Sequence, residues 1–470
     1  PGPAPRGGTA GPRTGGSLDL GPELDWRDWW WLNGYEYFRP SPRKAQVTGA
    51  GDGSSAAEEF VDAEVEAARD AIRRGFQDED DRVRAAAAIS AGRIYEPSFR
   101  PTLLGFLEDR DPLVRLSAIA GLGLAGSGEH VPVLMRIGVE GRSGVAKRHS
   151  LDERDLALLS LGLGVQRGSN SRYSPALRAF LSGASANDRR SLGPSTASSL
   201  GLAGDEETIL RDLVAVARDG GAPAGLRARA LWSLGNARPF ARELRPTVLE
   251  CLKEKEPDVR RAAVLALGRL GVGAREQTLA VLRSAVDAEG DTAVRAFALL
   301  AMGEVGGPTA KAELLDRVAR GRHLLRPWAA VAAGILGRSA TDPEIGRTLA
   351  RAYAEERSKD TRAAIALALG LARASEARNL LRNAVTAGGN GRERLFAAIA
   401  IALAQDEEGR EALRHGLREI PNPGTRAGIG LALSTFGNPE DVPALLEMFR
   451  SAEDPDALGT AALALAWHGS

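Results

Sequence analysis

Five histidines stand in this chain of 470 residues, at His130, His149, His323, His415 and His468, and they are scattered singly. An imidazole needs a second ligand or an orienting partner to hold a metal or move a proton, so each reads as a solvated or packing residue. The single cysteine, Cys251, excludes an intrachain disulfide and a multi-thiolate metal site. Its apolar surroundings, Val248 to Leu252, point to a buried and inert thiol. No phosphate-cradling G-x-x-x-x-G-K-[ST] loop and no G-x-S-x-G nucleophile elbow occurs in a strand-to-helix setting. The expectation is therefore no catalytic residue, no metal and no cofactor.

The residues best suited to binding lie near the N-terminus, where LDWRDWWWLNGYEYFRP (24–40) gathers Trp26, Trp29, Trp30, Trp31, Tyr35, Tyr37 and Phe38. Aromatic anchors dominate interface energy when buried, and an exposed cluster of this size is an aggregation hazard, so the segment must dock. In one arrangement Trp29, Trp30 and Trp31 fold back as a cap over the first helices, and this is the preferred one. In the other the segment is a partner-binding arm, with Trp26, Trp29, Trp30, Trp31, Tyr35 and Tyr37 as its contacts.

The elements around these residues follow from composition and period. Residues 1–55 form a Gly/Pro-rich leader interrupted by the Trp-rich segment, and 56–470 form the helical body. Hydrophobic residues make up 43% of the chain, but aromatics only 5%, with three Met, so the core is built from Ala, Leu and Val and its helices pack closely. Lys and Arg number 61, as do Asp and Glu, which removes the long-range positive field that would gather nucleic acid. No apolar run approaches the ~20 residues of a membrane-spanning helix. The chain opens on Pro1 with no apolar signal core, which fits either a trimmed chain or a secreted or cell-envelope protein after signal-peptide removal; a cytoplasmic location stays equally open.

The body repeats. Laid beneath one another, DEDDRVRAAAAISAGR, EPDVRRAAVLALGRLG and GDTAVRAFALLAMGEVG place an Arg eight residues before a Gly. The Gly position recurs at Gly92, Gly123, Gly162, Gly201, Gly235, Gly268, Gly303, Gly334 and Gly370, then as Ala402, Ser434 and Ala466, making twelve copies. The Arg position holds in ten of the twelve, failing at Gly193 and Leu458. A small residue follows the Arg by three and a Leu by seven, offsets that share one helical face. Between copies runs a second amphipathic segment, so each period holds two antiparallel helices that bury their apolar faces only by stacking on neighbours. The glycines read as helix terminators.

With the frame D-P-x-V-R-x-x-A-x-x-A-L-G in view (Asp111, Pro112, Val114, Arg115, Ala118 and Gly123, then Pro257 to Gly268), the chain resembles HEAT repeats, and the phycobilisome-lyase-like subtype among them. The resemblance implies an all-α fold, a right-handed α-solenoid or superhelix of about twelve stacked helix pairs. It also implies that the acidic residue and the Arg opening each second helix are structural, a ladder tying copy to copy, here Asp111, Arg115, Glu256, Arg260, Asp291 and Arg295. An acid before the helix suits its N-terminus, whereas an Arg in the first turn opposes the dipole and needs a partner elsewhere.

Enzymatic relatives of such repeats make demands that these residues do not meet. A di-iron hydroxylase resembling deoxyhypusine hydroxylase needs His-Glu dipeptides, and the chain has none. A repeat-built DNA glycosylase needs a basic groove, and Trp232, Trp328 and Trp467 fall at different offsets. A bilin lyase has no marked tetrapyrrole site. The expectation is a non-catalytic protein-binding scaffold using the concave face and loops; the alternative is a lyase or chaperone-like enzyme acting on a bound chromophore or polypeptide. Added length near Gly138 to Ser150 and Val165 to Tyr173 marks candidate binding loops. The apolar stretch Ala461 to Trp467 leaves an uncapped final repeat, open to homo-oligomer or end-to-end contact. Helices such as Ala363 to Ala372 and Leu395 to Ala404 are apolar all round and so buried on every side.

Overall fold

The computed structural model describes residues 26–27, 66–94, 96–142, 148–166, 173–203, 207–321, 324–339, 342–387, 390–451, 460–461 and 464–465. Among them the only β pairing is an isolated bridge between Arg142 and Arg148, and the chain is an all-α solenoid.

Local chemistry sets where helices begin. Asp111 accepts from the Leu113 and Val114 N–H groups, Asp291 from Val294, Ser358 from Thr361, Asn390 from Glu393 and Asn422 from Thr425. Proline occupies a first position at Pro112, Pro257, Pro308, Pro343 and Pro423, where its missing N–H costs nothing. Helix Pro112–Ala125 stops at Gly126, whose φ of 65° lets its N–H return to the Gly123 carbonyl.

Each copy pairs a first helix with a second. The second helices run Asp81–Ile94, Pro112–Ala125, Leu151–Gln166, Gly193–Ala203, Ala224–Asn236, Pro257–Leu270, Thr292–Val305, Arg326–Ser339, Lys359–Leu371, Gly391–Ala404 and Pro423–Ser434. Ala461, Ala464 and Leu465, in the twelfth copy, are also buried. One continuous apolar core links all copies, from Trp26 to Leu465, as stacking repeats require.

The two sides of the stack are spaced differently. Second helices meet through the repeated glycine: a β-carbon on Gly303 would stand 2.4 Å from the Ala332 carbonyl oxygen, and one on Gly370 would stand 2.4 Å from the Ala400 Cα. These glycines lie inside helices and do not terminate them; their absent side chain lets successive backbones touch. First helices are tied instead by long side chains, as in Arg218 to Glu250 at 3.0 Å, Arg283 to Glu313 at 2.9 Å and Arg317 to Asp287 at 3.0 Å. Interaxial distance follows the side chains at the contact, so the stack is narrower on the glycine side and curves with the second helices inside.

Two of the inner helices are accordingly buried on nearly every side. Thr361 and every residue from Ala363 to Leu371 are buried, as is every residue from Phe396 to Leu403.

Candidate partner-binding surface

In several copies the repeated arginine bridges three elements. Arg115 donates to the Asp109 and Arg110 carbonyls at 2.9 and 3.0 Å and to Glu153 of the next copy at 2.6 Å. Arg260 does the same with the Glu254 and Lys255 carbonyls, at 2.8 and 2.7 Å, and with Glu289. Arg295 donates to Val286 at 2.7 Å. For Arg295 the carbonyl is one left open in the last turn of the preceding first helix, whereas for Arg115 and Arg260 they belong to the connecting loop; in each case they supply the distant partner an arginine in a first turn requires.

The acidic side of this ladder differs from the sequence expectation. Asp111 is a cap, and Glu256 stands at its N-cap without a side-chain cap bond. Asp291 caps its helix and binds Arg261 at 2.7 Å, rather than an arginine of the repeated position. The carboxylates that meet the repeated arginines lie two residues before the caps, at Asp109, Glu254, Glu289 and Glu356, or inside the next helix, at Glu153 and Glu393. The Asp111 cap holds its carboxylate against its own helix, whereas Asp291 both caps its helix and ties it to the preceding copy through Arg261. The spacing of those acids was visible in the sequence, but the D-P frame drew attention to the cap.

Two residues after the arginine runs a column of buried residues on the inner helices: Ala262, Phe297, Trp328, Ala364 and Phe396, none more than 4% exposed. Phe297 and Trp328 meet edge to face, with centroids 5.8 Å apart. Sequence reasoning compared tryptophans only and so missed this column; counting all aromatics at the offset Arg plus two would have found it. Trp232 lies off the column and carries the Arg269 guanidinium 5.4 Å above its ring.

Trp26 joins this surface. It is 3% exposed, and its ring centroid is 4.7 Å from that of Phe396 in the tenth copy. Arg27 lies 3.8 Å from Asp360, which also pairs with Arg392. The first of the aromatic residues is thus placed on a late inner helix, far along the array from the first repeat. Trp29, Trp30, Trp31, Tyr35 and Tyr37 lie outside the described residues.

Polar groups are also buried on the inner helices. Asp155 is 3% exposed; burial pushes its carboxyl up to about 6, against the opposing hydrogen bond of Ser195 and the charge of Arg229. Two residues earlier, burial also disfavours the Glu153 carboxylate, but bonds from Arg115, His149 and the Ser150 N–H outweigh it and hold that group below its ordinary range. Tyr353 donates to Glu393 at 2.7 Å, and burial together with that carboxylate keeps the phenol protonated.

His130 is buried, with Nδ1 3.0 Å from the Leu122 carbonyl; His149 lies 2.7 Å from Glu153; and His415 is exposed. His323 and His468 lie outside the described residues. Among the described residues no group of three or more His, Cys, Asp or Glu is placed to hold a metal ion, and no helix is long and apolar enough to cross a membrane. Of the two candidate loops, 143–147 and 167–172 lie outside the described residues. Cys251 is 2% exposed, its Sγ 3.7 Å from the Ala217 carbonyl, and burial raises its thiol.

Helix pairs stacked in register, tied by an arginine ladder and spaced by glycine, define a repeat α-solenoid. The family of HEAT repeats matches residues 65–153, 210–292 and 381–466, more than half of the chain, and the chain belongs to it. No curated protein matches it. Among solved structures it is similar to human deoxyhypusine hydroxylase in complex with glycerol, at 19% identity and a TM-score of 0.27, over 59% of this chain and 96% of that one. It is also similar to Kap121p and to a mutant of it, each at 14% identity and a TM-score of 0.36, over 88% of this chain. The matched region spans about half, 51%, of the length of Kap121p.

Proposed function

We propose that the chain is a non-catalytic scaffold that binds a protein partner along its inner face. The observation that carries this reading is Trp26: an aromatic side chain remote in sequence is seated on the inner column, against Phe396. That surface therefore has the shape and chemistry to accept an anchor from a segment outside the array. Buried aromatic anchors of this kind contribute on the order of 2 kcal/mol or more to an interface. The short repeat period supports placing the copies in the phycobilisome-lyase-like subtype.

Panning a displayed library of random peptides against the folded full chain tests the reading. The expected result is an enriched set whose binding falls about tenfold or more in Trp328→Phe or Phe297→Leu, core changes whose folded fraction is first matched by helicity. A library that yields no set sensitive to these positions would overturn it, and a small molecule retained through purification would favour a lyase-like enzyme instead.

A further inference from the structure

Building on that scaffold reading, we propose that the cleft between helices Lys359–Leu371 and Gly391–Ala404 is a receptor for a tryptophan followed at once by a cation. Trp26 and Arg27 of the same chain fill it as a tethered ligand, which a partner segment of the same chemistry displaces.

The cleft is built from two turns of each helix. Asp360 and Ala364 are four residues apart and share a face, as do Arg392 and Phe396. Along the inner column Ala364 stands between Trp328 and Phe396, so a small residue is flanked on both sides by large rings. Among the described column positions from 262 to 396, no other alanine is so flanked. Phe396 supplies the wall against which Trp26 stands at 4.7 Å.

One turn away, Asp360 supplies the cation position. It receives Arg392 from the neighbouring helix and Arg27 from the docked segment, the latter at 3.8 Å. Asp360 is half exposed, so this ion pair is screened and adds orientation more than strength. A ring held by apolar contact and a charge held at a wet rim make a site that reads a short motif and still releases it. Occupation from within the same chain raises the local concentration of the motif, so an incoming segment must compete with it.

The test uses the full chain and a fluorescein-labelled peptide of sequence LDWRDWWWLN, read by anisotropy. The Trp26→Ala/Arg27→Ala chain is expected to bind the peptide about tenfold tighter than the wild type does, because its cleft is vacated. A peptide with glutamate in place of its arginine is expected to bind that chain about threefold more weakly, and to recover when the chain also carries Asp360→Lys. Equal binding by wild type and double variant, or indifference to the arginine, overturns the proposal. Light scattering that shows a concentration-dependent dimer abolished by Trp26→Ala would place the segment in a second copy and overturn the tethered arrangement. If library peptides sensitive to Trp328 or Phe297 survive while LDWRDWWWLN binds neither chain, this inference fails and the scaffold reading stands.

Discussion

Gly268 and Ala301, in successive inner helices, approach so closely that a β-carbon on the glycine would stand 2.7 Å from both the Cα and the Cβ of the alanine. The same contact recurs between Gly235 and Ala266, and between Gly334 and Ala368. It sets the spacing of the concave side and hence the curvature that brings the aromatic column inward.

In an ordinary helix interior, glycine to alanine stabilises by ~1 kcal/mol. For Gly268→Ala the opposite sign is expected, a loss of ~1–3 kcal/mol from overpacking. Hydrogen exchange should quicken across helices Pro257–Leu270 and Thr292–Val305. A gain in melting temperature would mean that the two helices can move apart freely.

Arg115 joins the loop carbonyls of one copy to a carboxylate, Glu153, whose side chain is 1% exposed. Arg115→Ala leaves that carboxylate with only His149 and the Ser150 N–H and is expected to cost ~1.5–3 kcal/mol in urea unfolding. Arg115→Ala/Glu153→Gln should lose less than the sum of the single changes. A loss below ~1 kcal/mol for the single variant would show that the pair behaves like a screened surface bridge.

Asp155 and Glu153 should act oppositely on stability as pH changes. The Glu153 carboxyl is held low in the fold, so its contribution is complete above its ordinary value of 4.5 and is lost as pH falls through the folded value. The Asp155 carboxyl is raised from 3.8 to about 6, so ionisation at neutral pH opposes folding and stability is gained as pH falls from 7 through 6. Between pH 7.5 and 5 the wild type should gain ~1.3 kcal/mol relative to Asp155→Asn. A difference between the two that does not change with pH would show that Asp155 is solvated.

Cys251 should be silent to a thiol reagent in the folded chain. Burial both shields it and disfavours the thiolate, so labelling by a disulfide reagent at pH 8 should be at least ~100-fold slower than in denaturant, in keeping with its opening only with the fold. Stoichiometric labelling within seconds under native conditions would place the thiol at the surface.

The sequence by itself determined the helix pairs and the register of the copies, because each is written locally. The period of apolar residues, the prolines and caps at helix starts, and an arginine eight residues before a glycine need no knowledge of distant contacts. The same local view misread the glycines as stops, since a glycine that ends a helix and one that lets two helices touch look alike until the neighbour is present. It also took Asp111 and Glu256 for partners of the repeated arginines, although the cap turns Asp111 towards its own helix and Asp109 or Glu254 reaches across; Asp291 does tie two copies, but through Arg261. Only the tertiary structure decided where Trp26 goes. Its partner Phe396 lies nine copies beyond the first, and nothing in a repeat's period encodes which groove a remote side chain will meet, because that depends on the curvature summed over the whole stack.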